Sequence, residues 1–104
     1  MYRSAMLSFL RNYDLILCPV NALPAIKHGT YPNDDILPAF SYTVAYNLTG
    51  WPGSVVRCGT SSEGLPLGVQ AVASPWREDV ALSVAQHLEK ALGGYQRPSL
   101  AATA

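Results

Sequence analysis

Charge is what this sequence has least of. Only 13% of its 104 residues are charged, seven basic against seven acidic, for a net charge of zero. A typical soluble domain carries about 25%. The seven cations form no basic stripe, so no nucleic-acid partner is expected. A surface this poor in charge suits a chain that buries part of its exterior against other protein. Cysteine is limited to Cys18 and Cys58, too few and too far apart for a disulfide framework or a zinc site. The expectation is two reduced thiols in a cytoplasmic protein. His28 and His87 stand alone, so no metal and no cofactor are expected. No apolar run reaches the ~18 residues of a membrane span, and no membrane partner is expected. The stretch Met1–Leu10 has one arginine and a short mixed sequence, which makes a poor signal peptide.

What is present is hydrophobic residue, 49% of the chain, cut into short segments by eight glycines and eight prolines. Residues 1–12 carry helical spacing, with Met6, Leu7 and Leu10 on one face. Asp14 to Val20 predicts a strand, and its Leu15-Ile16-Leu17 run reads as buried on both faces, in the manner of parallel strands. Residues 18–38 hold four prolines, Gly29 and Asp34-Asp35, and predict a long loop. The two aspartates fit a solvated loop better than an acid–base pair. Residues 39–49 predict a short helix ended by Gly50 and Pro52. Ser54–Cys58 and Leu67–Ala73 predict an antiparallel hairpin around the turn formers Gly59–Gly64.

Ser74-Pro75 predicts a helix start, with Glu78 and Asp79 placed where the helix dipole favours negative charge. Val80, Val84, Leu88 and Leu92 predict its core-facing stripe, and Gly93-Gly94 its end. The tail from Tyr95 to Ala104 is expected to fray. The order of elements is that of an α/β fold with about three strands and three helices.

Four segments, in order, resemble the C-terminal region of the amidase-signature family. They are Tyr13-Asp14-Leu15-Ile16-Leu17-Cys18-Pro19, the Asn47–Val56 turn into a strand, Gly64-Leu65-Pro66-Leu67-Gly68-Val69-Gln70, and Pro75-Trp76 followed by Glu78-Asp79 and a helix. The resemblance implies the C-terminal part of an α/β/α sandwich with a mixed sheet, and a single partial domain over residues 1–104. It implies descent from hydrolases that cleave the C–N bond of amides with a serine, a second serine in a cis peptide and a lysine base. A hydroxyl needs a base within hydrogen-bond reach, and a lysine serves only when burial lowers its pKa. The Gly/Ser-rich signature that carries the serines is missing here. Lys27 lies in the loop and Lys90 near a helix end, and Ser61-Ser62 reads as a hairpin turn. No catalytic residue is therefore assigned, and the chain alone is expected to be inactive. Met1 falls inside what resembles a helix of a longer protein, which is the pattern of a truncated one.

The resemblance also implies pocket residues. In the branch that releases ammonia from glutamine for transfer-RNA amidation, the residue seven before the matching asparagine is acidic and reads the substrate's amino group. Phe40 holds that place relative to Asn47. A phenyl ring cannot pair with an ammonium as a carboxylate does, so the substrate class implied is a small or apolar amide. Thr43 lies on the same short helix, with Tyr42 and Tyr46. Trp76 matches a Pro-Trp pair of the fatty-acid-amide branch, where it would supply an apolar wall. Phe40, Thr43 and Trp76 are the expected substrate-binding residues. Phe40 and Trp76 each have a plainer alternative in simple packing.

The expected partners are the remainder of an amidase domain or a second copy of this chain. A small-molecule amide is expected as substrate only for the full-length protein. The reading from a different class is a non-catalytic binding module that associates through exposed sheet edges. A free-standing module should protect its edges with charge, proline or bulges, and Leu15-Ile16-Leu17 of the first strand shows none, which favours a fragment. A small independent enzyme would need a nucleophile–base pair that the sequence does not offer. Asn47-Leu48-Thr49 matches a glycosylation acceptor of the kind common by chance.

Overall fold

A computed structural model describes residues 1–30 and 37–99. Asp34-Asp35 and the end of the tail lie outside the described residues. The chain runs α1 (Tyr2–Leu10), β1 (Leu15–Pro19), a 3-10 turn (Leu37–Phe40), α2 (Ser41–Thr49), β2 (Gly53–Thr60), β3 (Pro66–Ala73) and α3 (Glu78–Ala91). The strands form one sheet in the order β1-β3-β2, and both pairings are antiparallel. β2 and β3 make the expected hairpin. Ser61 Oγ closes its turn by accepting the N–H groups of Glu63 and Leu65, and Gly64 takes the left-handed conformation at φ 82°. Ser61-Ser62 is thus turn structure.

β1 departs from expectation. It pairs with β3 in antiparallel register, Ile16 opposite Val72 and Cys18 opposite Gln70, and its other edge is free among the described residues. Its apolar run is not covered on both faces: Ile16 packs on the core, whereas Leu17 is 53% exposed. Side chains alternate along a strand, so a run of three apolar residues always places one on each face. Whether each face is covered depends on what packs there.

The core sits on the α1/α2 side of the sheet. Leu10, Trp51 and Val72 are buried together, with Met6, Leu7, Ile16 and Tyr46 packed around them. Trp51 is placed by the end of α2. Gly50 terminates that helix at φ 71°, a conformation that costs glycine least, and donates its N–H to Tyr46 C=O at 2.8 Å. Tyr46 stacks on Trp51 with ring centroids 6.4 Å apart. Trp51 Nε1 is buried with no acceptor among the described residues.

Ala71 and Ala73 point to the opposite face, where α3 lies against β2 and β3. Ala81 and Ala85 of α3 are the buried residues there, and Val80, Val84 and Leu88 are half-buried. The stripe thus closes on alanines, whose small side chains let helix and sheet approach, and Leu92 at its end is exposed. α3 also begins later than Ser74-Pro75 predicts, at Glu78 after Arg77. Trp76 explains the delay: its φ of 65° lies outside the helical region. Helices on both faces of the sheet give the α/β arrangement expected.

Candidate functional site

A cavity of about 980 Å³ opens at the far end of the sheet from the core. Its floor is the first half of β3, Pro66 to Val69, and its sides are Leu17–Pro19 of β1 and Cys58 of β2. Cys58 reaches it through a bulge: the β2–β3 register shifts between Arg57 and Gly59, leaving Cys58 as the extra residue. The loop Asn21–Ile26 and Phe40 complete the wall. Gly68 lets the floor strand lie close to its neighbours. A Cβ there would stand 3.1 Å from Val20 Cγ2 and 3.2 Å from Val55 Cγ1.

The wall is mostly apolar, with Asn21, Ser61 and the Cys18 and Cys58 thiols as its polar points. Such a lining can hold the hydrocarbon part of a ligand and orient it with few hydrogen bonds. Both cysteines are free and half-buried. Cys18 Sγ–H donates to Tyr46 Oη at 3.7 Å. Burial pushes the Tyr46 phenol up to about 12, and the Cys18 hydrogen bond adds to the effect. Among the described residues no group of three His, Cys, Asp or Glu side chains stands together to hold a metal. His87 is spent on its own helix, its Nδ1 2.8 Å from Ser83 C=O.

The three expected pocket residues fall in different places. Phe40 lines the cavity. Thr43 is half-buried one turn further on, outside the lining, and its hydroxyl donates to Phe40 C=O at 3.0 Å. Trp76 is 88% exposed at the start of α3 and is not part of the lining either.

Sequence reasoning did not single out Gln70. It is 6% exposed on the central strand, and its side-chain amide donates to Pro19 C=O at 3.1 Å and to Tyr42 C=O at 2.9 Å. A signal existed, because a glutamine facing the core side of an apolar strand must find partners.

The amidase family model matches residues 1–82, taking in α1, the sheet and the start of α3. The chain belongs to the amidase family. Among amidase relatives, a glutamyl-tRNA(Gln) amidotransferase subunit of Desulfotalea psychrophila is 40% identical over 84 residues, covering 79% of this chain and 17% of its own length. Fatty-acid amide hydrolase 2-A of Danio rerio is 48% identical over 59 residues, covering 57% of this chain and 11% of its own. The structure of 6-aminohexanoate cyclic dimer hydrolase complexed with substrate superposes with a TM-score of 0.79 at 30% identity, over 95% of this chain and 24% of that one. The chain therefore spans less than a fifth of the length of these curated relatives. No helix among the described residues is long and apolar enough to cross a membrane.

Proposed function

We propose that this chain is the C-terminal segment of an enzyme that hydrolyses amide C–N bonds, and that it supplies sheet and pocket wall but no catalytic group. The observation that carries the reading is the apolar cavity, bounded by segments that all lie within the amidase match. Completion would come from the remainder of an amidase domain, which would bring the serine pair and the lysine. Phe40 would face the acyl part of the amide. Thr43 would fix Phe40 through its carbonyl, and Trp76 would be covered by the completing segment and close an apolar wall.

Two substrate readings meet at Phe40. The amidotransferase relatives align over 79–88% of the chain against 57% for the fatty-acid amide hydrolase, which favours a glutamine-type amide. The phenyl ring and the apolar lining favour a small or apolar amide, because nothing at Phe40 can pair with an ammonium.

The test compares ammonia release from glutamine and from hexanamide, by the 104-residue chain and by the complete enzyme that carries it. The chain alone is expected to release none. In the complete enzyme, Phe40→Asp is expected to shift the kcat/KM ratio toward glutamine by about tenfold or more. Hydrolysis by the chain alone, abolished by one point substitution, would overturn the reading.

A second reading rests on the edge of β1 that is free among the described residues, where Leu17 is exposed. It is a non-catalytic module that adds a strand from a partner or a second copy. Sedimentation tests it: a discrete dimer that dissociates on Leu17→Lys supports pairing with a second copy, and a monodisperse monomer opposes that pairing and also counts against the fragment reading.

A further inference from the structure

We propose that Gln70 is a positioning residue for the pocket: its side-chain amide clamps the end of β1 to the first turn of α2, and so sets the place of Phe40 and of the 21–26 loop. The inference rests on the reading of this cavity as an amide pocket.

The two carbonyls that Gln70 holds belong to segments far apart in sequence. Pro19 is 51 residues away and Tyr42 is 28. Immediately beyond Pro19 begins the loop that forms one wall of the cavity, and two residues before Tyr42 stands Phe40, which forms another. The same two segments meet directly once more, where Ala22 N–H donates to Ala39 C=O at 3.2 Å. Pro19 to Ala22 and Ala39 to Tyr42 are therefore joined at both ends, by Gln70 at one and by a backbone bond at the other. Phe40 sits inside that frame.

A neutral primary amide fits the task. Its nitrogen offers two N–H donors, and both acceptors here are carbonyl oxygens. A carboxylate of the same shape would turn oxygen toward oxygen. A thioether would fill the space and donate nothing. β3 is the right strand from which to reach both segments, because it pairs on both sides and is the most buried of the three.

The test uses Gln70→Met, which keeps apolar volume, and Gln70→Glu, which keeps shape. Amide hydrogen exchange is read at Ala22 in the 104-residue chain, and urea denaturation checks that each variant folds. Ala22 is expected to exchange about tenfold faster in Gln70→Met, and faster still in Gln70→Glu. In the complete enzyme, Gln70→Met is expected to raise KM for its amide by about tenfold while leaving kcat unchanged. A role confined to packing would instead lower apparent kcat in step with the folded fraction at constant KM. Unchanged Ala22 protection in folded Gln70→Met, or that constant KM, overturns the proposal. If the wild-type enzyme cleaves neither hexanamide nor glutamine, the amide-pocket reading falls, and exchange at Ala22 decides the clamp by itself.

Discussion

The two halves of β3 do opposite work. Gln70 to Ala73 is buried throughout, with Val72 fully inaccessible between Leu10 and Trp51 on one face and Ala71 and Ala73 under α3 on the other. Pro66 to Val69 is exposed or half-buried and floors the cavity. Apart from Gln70 both halves are apolar, so hydrophobic composition does not separate them. The difference lies in what covers each. One half has a helix on each face, and the other has a loop, a bulge and one phenyl ring around an open space. A single strand thus changes from core to cavity floor within its length, and Gln70 stands at the boundary.

The sharpest way to break this comparison is to truncate both halves. Val72→Ala is expected to cost about 2–3 kcal/mol, since it removes packed methyl groups and leaves a void. Leu67→Ala, in the open half, is expected to cost about 1 kcal/mol, since its side chain is only partly withdrawn from water. Urea denaturation of the two variants measures the contrast, and equal costs would remove it.

A smaller effect is expected from alkali on the core side. Tyr46 ionises at about 12 in the fold against 10.0 when free. Between those values the unfolded chain gives up the phenolic proton and the folded chain keeps it. The stabilisation is complete below pH 10, and is lost as pH rises through 12. Tyr46→Phe should flatten that decline in a pH series of urea midpoints, whereas Leu67→Ala should leave its slope intact.

The smallest effect is expected at the junction where β3 leads into α3. Trp76 holds a left-handed φ of 65° with its side chain in solvent, a conformation that costs a non-glycine residue about 1 kcal/mol. Trp76→Gly should raise stability by about 0.5 kcal/mol once the larger entropy of unfolded glycine is counted. Trp76→Ala, which keeps the strained backbone, should leave the urea midpoint where it is.

Much of this molecule was legible in its sequence. Gly50 ended α2, Gly59–Gly64 turned the hairpin, and the order of elements held. These features are local: a left-handed glycine or a tight turn is dictated by a few neighbouring residues. The cavity was legible only in part. Phe40 was implied by the family resemblance alone, and the wall it joins draws on β1, the bulge of β2 and the floor of β3. Cys58 could not be placed beforehand, because a bulge shifts which face a residue takes.

By itself, then, the sequence determined the elements, their turns and the family, because periodicity, glycine conformation and motif order are properties of the chain read along its length. The tertiary structure decided that β1 is an edge strand with Leu17 exposed, that alanines rather than the larger residues seal α3 to the sheet, and that Gln70 ties Pro19 to Tyr42. The physical reason is the same for all three. Burial and side-chain hydrogen bonding depend on partners far along the chain, 28 and 51 residues away in the case of Gln70, and no local pattern records which partner will arrive.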